Sequence, residues 1–257
     1  GVLDEDEQRL VLRKGAKRAA DETWTDAELV VVDECRARCE GVARTYGHVV
    51  VDEAQDLTAM GLRAIARRCP SGSMTVLGDL AQATAPGAQR SWDDAVVHLG
   101  VPASTVVEQA ELTLGYRVPA SVLDWANRLL AEAAPGVTPA RSVRAGGAPP
   151  GVVRVDDVAS VVGELARRRV REHTSVGIVV PDELRAAVDV PEGVQVVAPV
   201  EAKGLEFDSV IVAEPALVAR AAGGDTAAGL RLLYVALTRA VQHLDVVHAE
   251  PLPAPLR

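Results

Sequence analysis

Tyr46-Gly47-His48-Val49-Val50-Val51-Asp52-Glu53-Ala54-Gln55-Asp56 is an apolar run that stops abruptly in acidic and polar positions. Three consecutive β-branched residues, Val49 to Val51, predict a short buried strand of a central parallel sheet with both faces covered. Open α/β sheets place their ligand chemistry beyond the C-terminal strand ends, which is where Asp52 and Glu53 fall. An ionised carboxylate on a rigid element can hold a hard cation such as Mg²⁺, and a neighbouring carboxylate can orient or deprotonate a water. On that reading Asp52 takes the metal and Glu53 handles the water. The plainer alternative is a solvated strand end.

Working outward, residues 57–68 carry an amphipathic helical pattern that ends near Cys69-Pro70, and residues 73–77 predict the next parallel strand. That strand delivers Gly78-Asp79-Leu80-Ala81-Gln82-Ala83-Thr84, which taken alone is a strand-to-loop turn. On the N-terminal side, residues 4–22 are charge-rich with a helical pattern and an acidic first turn, and Thr25 with Glu28 has capping-box spacing for a second helix. Beyond Leu112-Thr113-Leu114-Gly115-Tyr116-Arg117, residues 120–133 predict a helix, and the Pro- and Gly-rich residues 134–151, with Arg141 and Arg144, a surface loop. From Val152 strand and helix alternate, the signature of a parallel sheet with covering helices. The arginines at 167–169 and 171 read as a solvated helix face favoured by the C-terminal dipole, with phosphate contact as the alternative. Glu201-Ala202-Lys203-Gly204-Leu205-Glu206-Phe207-Asp208 leads into a strand at 209–213, and residues 242–248 read as the closing strand.

With 257 residues the chain can form one large or two ordinary domains. Its 48% hydrophobic but 3% aromatic content means that the core is built from Val, Leu and Ala. A net charge of -9 argues against a strongly basic nucleic-acid-coating surface, although a local groove can still be basic. No apolar run approaches the length of a membrane span, and residues 1–7 lack the features of a signal peptide, so a cytoplasmic protein is expected. Cys35 and Cys39 are spaced i, i+4 but have no second ligand pair nearby; with Cys69 they read as reduced structural thiols.

Five boxes in this order carry a resemblance to superfamily 1 helicases of the UvrD/Rep type. Asp52-Glu53-Ala54-Gln55-Asp56 resembles their Walker B box, residues 78–84 motif III, residues 112–117 motif IV, and Lys203-Gly204-Leu205-Glu206-Phe207 motif V, the most specific match. Leu230-Arg231-Leu232-Leu233-Tyr234-Val235-Ala236-Leu237-Thr238-Arg239-Ala240 is similar to motif VI. The resemblance implies an α/β fold of RecA-like parallel sheets with flanking helices: a partial 1A domain over residues 1–110 and a 2A domain over 111–257. It implies an ATP-hydrolysing motor with ATP and Mg²⁺ as cofactors. Glu53, Gln82, Arg117 and Arg239 take catalytic roles, Gln82 reporting the γ-phosphate and the two arginines acting on it as exposed cleft residues that carry no fold. Asp52 holds the metal, Tyr116 stacks on the base, Gly204 permits close backbone approach, and Glu206 bonds the ribose.

Three departures qualify the likeness. Gly-x-x-x-x-Gly-Lys-Ser/Thr, the loop whose amides and lysine cradle nucleotide phosphates, occurs nowhere, which implies a motor whose N-terminal part lies elsewhere and a fragment inactive by itself. Residues 83–87 bring no ring where strand-tracking members keep base-stacking aromatics, and Ala198 and Val200 stand where those members have Thr and His. The span from Arg117 to Lys203 suits a compact sheet domain but not the large accessory domain of UvrD and Rep. This combination resembles the HelD branch, ATPases that act on RNA polymerase and clear it from nucleic acid. A conventional 3′-5′ DNA helicase fragment and a non-catalytic binding module are the alternatives.

Overall fold

The computed structural model describes residues 4–12, 15, 18, 21–101 and 105–257. Helix α1 (Glu5–Val11) opens on a capping box in which the Asp4 carboxylate accepts the amides of Asp6 and Glu7 while Glu7 accepts that of Asp4. It ends well short of residue 22, and several positions of the longer expected helix lie outside the described residues. Thr25 and Glu28 form the capping box of α2 (Asp26–Glu40), as their spacing predicts.

Strand β1 (Val49–Val51) is followed by α3 (Ala59–Ala66), capped by the Thr58 hydroxyl, and by β2 (Met74–Val76), which runs parallel to β1 with Val50 opposite Thr75. Helix α4 (Trp92–His98) then packs back, and Leu62, Ala95 and Leu99 form a small core with Met74, Val76 and Trp92 against them. The strand alternation decides what is covered: Met74 and Val76 pack on these helices and Val51 is buried, whereas Val50 is 64% exposed. The expectation of two covered faces is therefore corrected. This sheet has two strands among the described residues, and nothing described packs on the Val50 side.

A second two-stranded piece pairs β3 (Leu114–Gly115) in parallel with β4 (Arg141–Ser142), around α5 (Ala120–Ala126), a 3₁₀ turn at Asn127–Leu129, and α6 (Leu130–Ala133). Residues 134–151 are thus not wholly loop, because Arg141 N–H bonds Thr113 O at 2.7 Å and Val143 N–H bonds Gly115 O at 2.9 Å. Two residues are too short to display a period of two.

The remaining chain runs β5 (Gly151–Arg154), α7 (Val158–Arg169), β6 (Val176–Val179), α8 (Asp182–Arg185), β7 (Val194–Val197), β8 (Phe207–Ala213), α9 (Pro215–Arg220), α10 (Thr226–Leu237) and β9 (Ala240–His248). The five strands are parallel throughout, in the order β5-β9-β8-β6-β7. Alternation again sorts the side chains. Val179, Val210, Val212, Leu244 and Val246 pack with α10, α5 and α6, while Ile178, Ile211 and Val247 pack with α7. This is the α/β architecture of parallel sheets with flanking helices that the sequence predicts.

The arginine cluster on α7 departs from its expected solvated face. Arg167 and Arg168 are exposed and paired to Asp189 and Glu172, but Arg169 is 8% exposed and forks onto Asp245 with bonds of 2.7 and 2.9 Å. The bidentate pair with Asp245 raises the guanidinium's proton affinity against the opposing effect of burial, and Glu172 adds to it. Helical spacing points Arg169 inward along with Val162 and Ala166, so it is the strand residue Asp245 that makes its burial tolerable.

Candidate functional site

Strand β1 stops at Val51 and hands the chain to Asp52, whose Oδ1 accepts the amide of Glu53 at 2.8 Å. Glu53 itself sits in the left-handed region at φ 53°, ψ 34°, a conformation that costs a non-glycine residue about 1–3 kcal/mol. The next turn supports it. Gln55 is fully buried; its Nε2 donates to Glu53 Oε2 at 2.6 Å and its Oε1 accepts the amide of Asp79 at 3.0 Å. One buried amide therefore ties the turn after β1 to the turn after β2.

That second turn, a 3₁₀ segment at Leu80–Gln82, is capped by Asp79, which accepts from Ala81 N–H and from Gln82 Nε2 at 2.9 and 2.7 Å. Gln82 Oε1 is left to accept from Arg239 Nη2 at 3.0 Å. Arg239 follows α10 directly, bonds Val235 O at 3.0 Å and is 5% exposed. The expectation of an exposed cleft arginine is corrected: its guanidinium is enclosed between α10 and the turn that bears Gln82. Burial first, then the nearby Arg117 cation, hold its proton affinity below the ordinary arginine value, and Glu53, Tyr234 and Asp79 oppose them.

Arg117 remains an accessible guanidinium, 63% exposed, and pairs with Glu206. Its backbone carbonyl accepts from Arg144 Nη1. Tyr116 is 70% exposed beside it, and Gly204 adopts φ 77° with open space where a side chain would begin. Asp52 and Tyr116 lie on the rim, whereas Glu53, Gln82 and Arg239 are joined in one network.

Lys203 completes that network, and the sequence reading gave it no role of its own. Its ammonium pairs with Asp56, lies 3.3 Å from Glu53 Oε2 and donates to Gln82 O at 2.9 Å. Asp56, likewise unassigned, also accepts the amides of Thr84 and Ala85. The available signal was the place of Lys203 inside the Lys-Gly-Leu-Glu-Phe box. Its reach of more than a hundred positions to the β1 turn is visible only in three dimensions.

Chemically, Glu53 and Asp56 share the Lys203 ammonium, while Arg239 meets the Gln82 amide and Arg117 pairs with Glu206. Among the described residues no cluster of three or more His, Cys, Asp or Glu could hold a metal by itself. A Mg²⁺ ion, which keeps several waters and binds through one or two carboxylates together with substrate phosphates, suits a lone carboxylate such as Asp52.

Residues 201–247, which span Lys203, Gly204, Glu206, Arg231 and Arg239, match the family model of the UvrD-like helicase C-terminal domain. No curated protein matches the chain. Among solved structures, the C-terminal domain of a possible DNA helicase from Lactobacillus plantarum is similar at 25% identity and a TM-score of 0.40, over 55% of this chain and 92% of that one. Arterivirus nonstructural protein 10, a helicase, aligns at 20% identity and a TM-score of 0.46, over 83% of this chain and 41% of its own. Its complex with DNA aligns at 16% and 0.47, with 42% of that chain covered. The chain thus spans about two fifths of the arterivirus helicase. No helix among the described residues is long and apolar enough to cross a membrane. Over residues 201–247 the chain is similar to the UvrD-like helicase C-terminal domain, and through it to superfamily 1 helicases.

Proposed function

We propose that the chain supplies the carboxylate and arginine side of the ATP site of a superfamily 1 helicase-like motor, with residues 1–110 and 111–257 as the two halves that close on the nucleotide. The observation that carries this reading is the convergence of Glu53, Gln82, Lys203 and Arg239, from four separate boxes, on one hydrogen-bonded network. Asp52 would hold Mg²⁺, the exposed Arg117 would face the phosphates, and the enclosed Arg239 would act on them through its bond to Gln82. Bound Mg²⁺·ATP supplies the electrophilic phosphoryl group, and an always-charged planar guanidinium is the side chain suited to charge developing there. Glu53 is the carboxylate placed to accept a proton from water, Tyr116 the ring free to stack on a base, and Glu206 the ribose acceptor. The phosphate-cradling loop comes from further polypeptide.

The partner we propose is RNA polymerase, in the manner of HelD-type ATPases, rather than a tracked single strand. Ala83 is 3% exposed, and the amides of Thr84 and Ala85 are taken by Asp56, so the turn after Gln82 offers no ring on which a base can stack.

The nucleotide assignment is tested by equilibrium binding of a non-hydrolysable ATP analogue to residues 1–257. Arg117→Ala, which removes an exposed side chain, should weaken binding at least about 10-fold, and Asp52→Asn should abolish its dependence on Mg²⁺. Affinity and metal dependence unchanged in both variants would remove the site.

A further inference from the structure

Two consecutive carbonyls in the turn after β2 are gripped from the far part of the chain. Lys203 Nζ donates to Gln82 O at 2.9 Å, and Arg231 Nε donates to Ala83 O at 2.6 Å. Arg231 projects from the middle of α10 and uses a second nitrogen, Nη1, to bond Ala133 O at 2.7 Å at the C-terminal end of α6. A helix's last carbonyls lack intrahelical partners, so one planar fork satisfies both the end of α6 and a turn 148 positions away in the sequence. The turn is apolar where it meets this helix: Ala81 is 2% exposed and belongs to the same buried cluster as Leu230, Leu233 and Leu237. Burial, with Arg90 adding to it and Asp225 opposing, holds the Arg231 proton affinity below the ordinary value, as befits a cation whose solvation is replaced by carbonyl oxygens.

We propose that Arg231 is a positioning residue that docks the turn carrying Gln82 onto α10, so that the Gln82 amide is held against Arg239. The inference rests on the nucleotide-site reading of Gln82 for its functional meaning. Arg239 leaves the C-terminal end of the same helix whose middle bears Arg231, so a shift of α10 moves the Gln82 side chain and its backbone together. Lys203 cannot substitute, because its ammonium is shared with Asp56 and Glu53.

The test reads geometry, not turnover, and so stands apart from the nucleotide assignment. In residues 1–257 the side-chain amide resonance of Gln82, identified by its loss in Gln82→Ala, is followed in Arg231→Met and Arg231→Lys, with amide exchange of residues 83–85 alongside. Arg231→Met keeps the packing of the stem and removes every donor. We expect it to move the Gln82 resonance toward that of a solvated glutamine and to speed exchange at 83–85 by about 10-fold or more, while exchange in β8 and β9 stays at wild type. Arg231→Lys, which retains one donor, should restore part of both effects. A wild-type Gln82 resonance and wild-type exchange at 83–85 in Arg231→Met would overturn the proposal, and so would loss of protection spread equally over β8 and β9. Analogue affinity and metal dependence unchanged in Arg117→Ala and Asp52→Asn, together with a displaced Gln82 signal in Arg231→Met, would sink the nucleotide reading and leave the positioning role standing.

Discussion

Arg239 Nη2 meets Gln82 Oε1 at 3.0 Å, joining residues 157 positions apart, and the arginine is almost wholly enclosed in doing so. Its Nε and Nη1 also serve Val235 O and Leu205 O at 3.0 and 3.4 Å. Removing the guanidinium takes the donor from Gln82 Oε1 and Leu205 O in a buried setting, while Val235 O keeps the Thr238 hydroxyl at 3.1 Å. Arg239→Ala should therefore cost about 2–4 kcal/mol of folding stability, measured by urea denaturation at constant m. Arg239→Lys should recover less than half, since an ammonium lacks the fork. A midpoint within error of wild type in Arg239→Ala would show that the contact network is not formed in solution.

Glu53 makes a different kind of statement, through its backbone. Asn tolerates the left-handed region far better than a β-branched residue, and both Glu53→Asn and Glu53→Val delete the carboxylate. The Val variant should be less stable than the Asn variant by about 1 kcal/mol or more, with the exposed ion pair to Lys203 cancelling from the comparison. Equal stabilities would mean that the strained turn is not populated.

The pH profile has one legible contributor in Asp208. Desolvation pushes its carboxyl up, but the amides of Ser175 and Thr174 and the side chain of Gln242 outweigh it and hold the group below the ordinary aspartate value. A depressed folded value stabilises above the unfolded value of about 4 and is lost as pH falls through the folded one. Asp208→Asn should accordingly lower stability by a constant amount between pH 6 and 8, without changing the slope there, and flatten the slope below about pH 4. An unaltered acid limb would contradict the assignment.

What could be read in the sequence was set by how local the cause is. Thr25 with Glu28 announces a capping box because both partners lie within one turn, and the apolar runs at residues 176–180 and 209–213 announce the buried strands β6 and β8 because sheets covered on both faces need such runs. The same reasoning failed at Val50, where an identical run lies on a sheet covered on one side, since apolar pattern reports a strand but not its neighbours. Arg169 was misread for the complementary reason: the partner that makes its burial tolerable, Asp245, lies 76 positions on. In the candidate site, box order located Glu53, Gln82 and Arg239, yet the residues that bind these boxes together, Lys203, Asp56 and Arg231, act through contacts that no spacing reveals.

The central claim, that these boxes form one side of an ATP site, is tested most directly by steady-state hydrolysis. Residues 1–257 alone are compared with the same residues joined to a polypeptide bearing the phosphate-binding loop. The account predicts no turnover by the former, because positioning the β- and γ-phosphates needs that loop and its lysine. It predicts Mg²⁺-dependent turnover by the latter, abolished by Glu53→Gln and reduced about 10²-fold or more by Arg117→Ala. Robust hydrolysis by residues 1–257 alone, or turnover by the joined protein that survives Glu53→Gln, would contradict it.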